Sequence, residues 1–240
     1  MSDPAGIVAE AGLCLGTESL EGQTVLVTAG GTAEAIDAVR RITNRSSGKM
    51  GFAIAEQAAR RGARVRLVAG VTHLPTPAGV ERIDVESAHE MREAVLDELE
   101  ASTIVIKAAA VADFTPENVE SQKIKKEGLG DQSAFMLRLV KTPDILREVC
   151  DRKENRIVVG FAAESHDVLE EARRKIRRKG CDLLVANDIS RTDAGFDVDT
   201  NAVLLVTPDG EVEETALLSK REIASQVLDR VEKILQERLG

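Results

Sequence analysis

The residues from Thr43 to Gly51, with the sequence TNRSSGKMG, combine two serines, two glycines and a lysine in front of an apolar helical pattern. The first N–H groups of a helix have no partner within the helix and lie at the positive end of its dipole, so a helix beginning here can bind an anion. The stretch therefore predicts a phosphate site. It is not a Walker A loop, because Met50 follows Lys49 where a magnesium-binding Ser or Thr would stand. An ordinary capped helix with a solvated lysine is the alternative.

A second set of candidate residues lies in the segment from Ala112 to Gly130, which contains Lys123, Lys125 and Lys126. This segment has few apolar residues, and we expect a mobile loop that is long enough to act as a lid. Its lysines could close over a triphosphate and neutralise the charge that develops on a leaving pyrophosphate. A solvated run of charges would give the same pattern.

The composition excludes several classes of protein. The chain has 240 residues, of which 43% are hydrophobic, and this is enough for one large α/β core. A formal net charge of −9 argues against binding to nucleic acid, and five Phe without Trp or Tyr offer no stacking platform for single strands. The sequence shows no signal peptide and no long apolar run, so we expect a cytoplasmic protein that does not enter a membrane.

The cysteines and histidines do not indicate a reactive or metal-binding cluster. Cys14, Cys150 and Cys181 are far apart and have no His at ligand spacing, so neither a disulfide framework nor a metal site is predicted. We expect Cys150 and Cys181 to be small buried hydrophobic residues rather than nucleophiles. The three histidines are expected at the surface.

The candidate residues must be positioned by strands and helices that alternate along the chain. Apolar, β-branched runs predict strands, whereas capping residues, glycine stops and helical spacing predict helices. The predicted strands are Gln23–Ala29, Arg64–Ala69, Arg82–Val85, Thr103–Ala109, Ala134–Val140, Arg156–Ala162 and Asp182–Ala186. The predicted helices are Phe52–Arg61, Ser87–Glu100, Thr142–Arg152 (capped by Thr142, with Pro143 at its first position), Asp167–Lys179 and Ser219–Leu239. Asn201–Thr207 and Glu211–Leu217 predict a hairpin.

This alternation predicts an α/β fold with a doubly wound, mostly parallel, Rossmann-like sheet and an antiparallel hairpin at one edge or in a flap. Ligands of such sheets bind at the carboxyl ends of the strands, so the loops after Ala29, Ala109, Phe161 and Ala186 should meet. A dinucleotide dehydrogenase is the first candidate, but no G-x-G-x-x-G follows the first strand, and the second ends at Gly70 without a ribose-binding acid. An NAD(P)-dependent oxidoreductase and a nucleotide-binding regulatory module are kept as alternatives.

Several motifs, taken together, resemble those of phosphopantothenoylcysteine synthetases. They are GGTAEAIDAVRRITNRSSGKMGFAIA, KAAAVADF, KIKK, KTPDI, VGFAAE and ANDIS, and they occur in the order and at the spacing of that family. The similarity extends from about Glu21 to Lys233. Ala35 stands where the family usually has proline, which changes the stiffness of the loop but removes no reacting group.

The resemblance implies a ligase of coenzyme A biosynthesis. A nucleoside triphosphate activates 4'-phosphopantothenate to an acyl-nucleotidylate, pyrophosphate leaves, and the amine of L-cysteine displaces the nucleotide to give 4'-phosphopantothenoyl-L-cysteine. CTP is the expected nucleotide, because Lys175 and Lys179 fit the bacterial and archaeal pattern rather than the eukaryotic pattern that uses ATP. Mg²⁺ is expected with the triphosphate.

The resemblance also implies partners and a domain boundary. The family is dimeric, and the predicted strand Ala134–Val140 and the hairpin are candidates for the contact in a homodimer. In many prokaryotes the synthetase is fused behind a flavin-dependent phosphopantothenoylcysteine decarboxylase. Residues 1–21 resemble the end and linker of such a fusion, so residues 22–240 are predicted to be the synthetase domain, excised or stand-alone.

The resemblance also implies functional roles for individual residues of this chain. Asn44 matches an asparagine that contacts phosphopantothenate and stabilises the acyl intermediate, Arg40 matches a substrate-site arginine, and Lys123 matches the flap lysine needed to form the intermediate. Lys125 and Lys126 would assist Lys123. Ala109, Ala110 and Asp113 match the segment along substrate and nucleotide. The remaining predicted nucleotide-binding residues are Gly30, Ser46, Gly48, Gly51, Lys107, Ala108, Pro143, Asp144, Ile145, Leu146, Phe161, Lys175, Lys179 and Asn187.

Overall fold

The structure, a computed structural model, describes residues 16–125, 135–188 and 200–239. Its helices are α1 (Lys49–Arg60), α2 (Ala88–Leu99), α3 (Ile145–Asp151), α4 (Val168–Lys179) and α5 (Lys220–Leu239). Its strands are β1 (Thr24–Ala29), β2 (Ala33–Ala35), β3 (Arg41–Thr43), β4 (Arg64–Ala69), β5 (Val80–Asp84), β6 (Ile104–Lys107), β7 (Phe114–Pro116), β8 (Leu139–Lys141), β9 (Ile157–Glu164), β10 (Leu183–Asp188), β11 (Thr200–Asn201), β12 (Val203–Val206), β13 (Val212–Glu214) and β14 (Leu218–Ser219).

An eight-stranded sheet organises these elements, in the order β13-β12-β10-β9-β6-β1-β4-β5. The pairs from β5 across to β10 are all parallel, whereas β12 and β13 pair antiparallel at one edge. The predicted doubly wound sheet with a hairpin at its edge is therefore confirmed. Parallel strands place their carboxyl ends on the same edge, so the loops after β1, β6 and β9 begin at the edge where β10 also ends. Residues 189–199, which follow β10, lie outside the described residues.

Helices cover both faces of this sheet. Successive residues of a strand face opposite sides, so the two layers of helices pack against different side chains of the same strand. Val25 and Val27 of β1 pack in the core formed with α1 and α5. Leu26, between them, packs in the core formed with α2, α3 and α4. The central strands are consequently apolar on both faces, as their sequences predict.

The chain enters the fold beside the end of α1. Leu20 is fully buried in the core, and its N–H donates to the carbonyl of Arg61 at 2.8 Å. Arg61 is 9% exposed and forms ion pairs with Asp229 and Glu232 of α5, each at 2.7 Å. The packed core thus includes a residue of the segment that the sequence assigned to the linker.

The sequence patterns missed three small two-stranded sheets, which lie near the loops of interest. They are β2–β3, β7–β8 and β11–β14. Strand β7 lies in the segment from Ala112 to Gly130, so the expectation of one mobile loop is wrong for Phe114–Pro116. Residues 126–130 of that segment, including Lys126, lie outside the described residues.

Two boundaries next to β8 also differ from their predictions. The strand predicted over Ala134–Val140 is confined to Leu139–Lys141, while residues 135–138 are not strand and Ala134 lies outside the described residues. Thr142 does not cap α3, because its hydroxyl donates to the carbonyl of Ala112 at 2.6 Å. Asp144 is the cap, so the helix begins after Pro143 rather than at it.

Candidate functional site

Glycines bring the start of α1 directly onto the carboxyl end of β1. Gly48, at the N-cap, has a φ of 79° and lies against Gly30, where an added Cβ would come within 3.3 Å of its Cα. A Cβ on Gly51 would lie 2.4 Å from the Cβ of Ala29. Only residues without a side chain allow this approach, so the predicted phosphate loop is held on the strand edge.

The start of α1 has the properties of an anion site. No side chain caps it, and its first turn contains no acidic residue. Ser46, Ser47 and Lys49 are half-buried and line a cleft rather than a buried interface. The helix therefore lacks a side-chain cap, and its start is accessible to a ligand from the cleft.

Asn44 links the phosphate loop to the loop after β6. Its side-chain Nδ2 donates to the carbonyl of Val111 at 3.1 Å, and the carbonyl of Ala110 lies 3.5 Å away. Asn44 is exposed, so these contacts orient the amide without burying it. The loop containing Asn44 is further attached through Thr43, whose hydroxyl donates to the carbonyl of Thr32 at 2.8 Å.

Two adjoining clefts open at this edge. The lysine cleft, of about 470 Å³, contains Lys107, Lys141, Lys175 and Lys179 in its walls. The Asn44 cleft, of about 640 Å³, is bounded by residues 44–51, by the loop after β6 and by the carboxyl-terminal part of β9. Both are lined by Ala109, Val111, Asp113, Phe161 and Lys175. The shared wall makes the two clefts one continuous candidate site.

Most of the predicted site residues line these clefts. In the lysine cleft they are Lys107, Ala109, Asp113, Pro143, Asp144, Ile145, Leu146, Phe161, Lys175 and Lys179. In the Asn44 cleft they are Asn44, Ser46, Gly48, Gly51, Ala108, Ala109, Ala110, Asp113, Phe161, Lys175 and Asn187.

Three predicted residues do not line either cleft. Gly30 lies beneath Gly48 and supports the loop through its backbone. Arg40 and Lys123 lie in a different region. There the Arg40 guanidinium donates to the carbonyl of Ile124, the residue after Lys123. The structure therefore separates the predicted catalytic residues into Asn44 at the clefts and the Arg40–Lys123 pair beside them.

Two buried polar atoms at the clefts have no hydrogen-bond partner among the described residues. They are the Nζ of Lys107 and the Oδ1 of Asn187, in side chains that are 6% and 9% exposed. Burial lowers the pKa of Lys107 to about 7, since no anion compensates the loss of hydration. Unpaired buried groups are costly, so both atoms are suited to a polar ligand.

The two other predicted lysines are already paired with acids. Lys179 contacts the Asp144 carboxylate, and Lys175 lies 3.7 Å from Glu164. Burial raises the pKa of Asp144, but the hydrogen bond from Lys179 and the backbone N–H of Arg147 outweigh it, and the net shift is downward. Asp144 thus connects the start of α3 to the end of α4.

The remaining reactive residue types contribute little at this edge. Cys150 and Cys181 are buried, and burial raises their thiol pKa values to about 12 and about 11, so they are inert hydrophobic residues as predicted. Cys14 lies outside the described residues. Within the described ranges, no group of three or more His, Cys, Asp or Glu is placed to hold a metal ion.

Several polar residues of this region were not among the predicted site residues. Lys141, Asn201 and Lys220 line the clefts. Lys141 is the first residue of the KTPDI motif, two residues before Pro143, but Asn201 and Lys220 are brought in from the hairpin region and α5 by the fold alone. Asp37 contacts Arg40, and its spacing of three residues before that arginine was an available signal.

Comparisons with known proteins identify the family of this chain. A family model described as the DNA/pantothenate metabolism flavoprotein C-terminal domain matches residues 20–235. The coenzyme A biosynthesis bifunctional protein CoaBC of Bacillus subtilis is 48% identical over 213 residues, covering 88% of this chain and 52% of that protein. CoaBC of Vibrio cholerae is 47% identical over 229 residues, covering 95% of this chain and 57% of that protein. The chain thus spans about half the length of these relatives.

Solved structures have the same fold. A crystal structure of the C-terminal domain of CoaBC matches with a TM-score of 0.79 and 40% identity, covering 92% of this chain and 100% of that one. A DNA/pantothenate metabolism flavoprotein from Streptococcus pneumoniae matches in fold, with a TM-score of 0.74, 22% identity, and coverage of 89% and 100%. No helix in the described part of the chain has the length and hydrophobicity of a membrane span. The chain belongs to the family of the DNA/pantothenate metabolism flavoprotein C-terminal domain, the phosphopantothenoylcysteine synthetase part of CoaBC, as its motifs predicted.

Proposed function

We propose that the protein is the ligase that joins 4'-phosphopantothenate to L-cysteine in coenzyme A biosynthesis, with CTP as the activating nucleotide. The observation that carries the proposal is the position of Asn44. Its amide lies 3.1 Å from the carbonyl of Val111, between the open start of α1 and the loop after β6. A carboxylate bound there would meet a nucleotide whose phosphates lie on that helix start.

In the first step, a carboxylate oxygen of phosphopantothenate attacks the α-phosphorus of CTP. The bond between that phosphorus and the oxygen bridging to the β-phosphorus breaks, and pyrophosphate leaves with the electron pair. Ser46, Gly48 and Gly51 would hold the phosphates through the helix start, and Lys123 would offset the charge that develops on the leaving group. The walls of the clefts orient both reactants, so no covalent bond to the protein is needed.

In the second step, the amine of cysteine attacks the acyl carbon of the acyl-cytidylate. The bond from that carbon to the phosphate oxygen breaks, CMP leaves, and the nitrogen loses its proton as the amide forms. The Asn44 amide would donate to the oxyanion of the intermediate, because an uncharged amide can donate without titrating. Its present contact with Val111 holds it beside the loop where the carboxylate would lie.

The nucleotide would enter as its Mg²⁺ complex. Among the described residues, no group of three or more His, Cys, Asp or Glu is placed to hold a metal ion. Magnesium is commonly bound by one or two carboxylates together with substrate phosphates. Asp113, which lines both clefts, is the carboxylate in position to do this.

The lysine cleft would hold the nucleoside, with Lys107, Phe161 and the start of α3 around it. The preference for CTP over ATP rests on the resemblance through Lys175 and Lys179. The oxidoreductase alternative is not favoured, because the comparisons lead to CoaBC and no dinucleotide fingerprint follows β1.

We also propose a homodimer and a single synthetase domain over residues 22–240, behind a linker at residues 1–21 whose Leu20 packs in the domain core. Exposed apolar side chains support the dimer, because a second copy of the chain could bury them. They belong to the β2–β3 turn, the β7 region and the β8 region: Val39, Phe114, Val119, Met136 and Leu139.

The test is a reaction of the purified protein with phosphopantothenate, L-cysteine and either CTP or ATP. The proposal predicts that CMP and pyrophosphate are released with CTP, and that the amide product requires both substrates. Saturable binding of NAD(P)H without binding of CTP would support the oxidoreductase instead. Binding of CTP without any turnover would indicate a regulatory module.

A further inference from the structure

Asp37, in the turn between β2 and β3, is a buried carboxylate outside both clefts. Its side chain is 0% exposed. Oδ1 accepts hydrogen bonds from the backbone N–H groups of Val39 and Arg40, at 2.9 and 2.8 Å. Oδ2 accepts from the Nε and Nη2 of Arg40, at 2.9 and 2.6 Å, and from the backbone N–H of Ile124, at 3.0 Å. One carboxylate therefore binds both its own turn and a segment far along the chain.

The backbone of Ile124 is held at both its N–H and its carbonyl group. Its carbonyl accepts from the Nη2 of Arg40 at 2.6 Å, while its N–H donates to Asp37. A few residues earlier, the N–H of Glu120 donates to the carbonyl of Ile36 at 3.1 Å. The segment from 120 to 124 is thus fastened to the turn from 36 to 40 at two places.

We propose that Asp37 is a positioning residue that fixes Arg40 and the backbone beside Lys123 as one unit. This inference rests on the proposed function, which gives Arg40 and Lys123 their roles at the substrate and the leaving pyrophosphate. Lys123 and Lys125 flank Ile124, and their side chains are exposed. Because the backbone of Ile124 between them is already fixed, binding of a phosphate to either lysine restricts only the lysine side chain and not the backbone.

The charge of Asp37 is what makes the attachment strong. Burial raises the pKa of its carboxyl group, but the hydrogen bonds from Ile124, Val39 and Arg40 outweigh burial and hold the pKa well below its usual range. The carboxylate is therefore ionised at neutral pH, and its bonds to the guanidinium are charge-assisted. Arg40 is held in place although its own side chain is 45% exposed.

Asp37→Asn distinguishes a role in holding the segment from 120 to 124 from a role limited to the turn that contains residue 37. Asn retains an Oδ1 that can accept from Val39 and Arg40, so the turn keeps its hydrogen bonds. Its Nδ2 group, however, would face the N–H of Ile124 and the guanidinium, which are both donors. Asp37→Asn should consequently release the segment from 120 to 124 while leaving the β2–β3 hairpin folded.

Hydrogen exchange of the intact protein tests the attachment without any substrate. In Asp37→Asn, exchange of residues 120–125 should accelerate by about tenfold or more, while that of residues 33–43 stays as in the wild type. Asp97→Asn, a change at an exposed acid of α2, serves as the matched control. Unchanged exchange at 120–125, or equal acceleration throughout the hairpin, would overturn the proposal.

A double-mutant cycle with Lys123→Gln, measured as the affinity for CTP without turnover, tests the positioning role. Asp37→Asn alone should weaken CTP binding by about tenfold, but by less than about twofold when Lys123 is already replaced, because coupled residues are not additive. Equal losses in both backgrounds would refute action through Lys123. A wild-type protein that releases no CMP would instead refute the proposed function, and the exchange result would still decide whether the attachment exists.

Discussion

Replacing Lys107 with methionine should stabilise the unliganded protein, and more at pH 7 than at pH 9. The side chain is 6% exposed, its Nζ has no partner among the described residues, and burial lowers its pKa from 10.5 to about 7. Methionine has a similar length and no charge to desolvate, so it should fill the same space.

The sign and the size of this effect on the free energy of unfolding follow from proton linkage. Between pH 7 and pH 10.5 the unfolded chain binds more protons at this lysine than the folded chain, so stability rises with pH as the penalty disappears. At about 1.4 kcal/mol per pKa unit, the charge penalty is about 4 kcal/mol at pH 7 and about 2 kcal/mol at pH 9. The advantage of Lys107→Met over the wild type should fall by about 2 kcal/mol across this range.

Urea unfolding at the two pH values provides the measurement. Lys141→Met is the matched control, because Lys141 lines the same cleft but is exposed, and its effect should be nearly independent of pH. The reasoning is refuted if Lys107→Met changes the free energy of unfolding equally at pH 7 and pH 9, or destabilises the protein at pH 7.

Other substitutions test the site and the assembly. Asn44→Asp should still form the acyl-cytidylate but accumulate it, whereas Lys123→Gln should block its formation; quenched-flow analysis separates the two, and equal loss of both steps would contradict the assigned roles. Gly51→Ala should destabilise by roughly 1–3 kcal/mol in urea unfolding, because its Cβ would lie 2.4 Å from that of Ala29; wild-type stability would contradict this packing. Met136→Glu should convert the proposed dimer to a monomer in sedimentation, since Met136 is 91% exposed, and an unchanged dimer would place the contact elsewhere.

Sequence patterns predicted the elements that are defined by burial and by local capping. Strands β1 and β4 lie where expected, because their carboxyl-terminal halves consist of apolar and β-branched residues that are buried on both faces of the sheet. The box formed by Ser219 and Glu222 was equally predictable: the backbone N–H of each residue donates to the side chain of the other. Such signals depend on residues that are close in sequence, so distant contacts in the folded chain do not change them.

Signals that depend on distant contacts could not be obtained from the sequence. Thr142 is a residue type that commonly caps helices, but its hydroxyl donates to the carbonyl of Ala112, and Asp144 caps α3 instead. The three-residue strands β2 and β3 have no length over which a pattern could be recognised. Lys107 was selected as a site residue, yet its burial follows only from the packing of the elements around β6.

The described chain joins the core at the end of α1 that is remote from the clefts. Leu20 meets Arg61 there, whereas the clefts open at the start of the same helix, a strand length of about 20 Å away. Truncating the buried side chain of Leu20 should therefore lower the stability of the fold without changing the residues that line the site, so the anchoring of the chain and the binding of ligands can be varied separately.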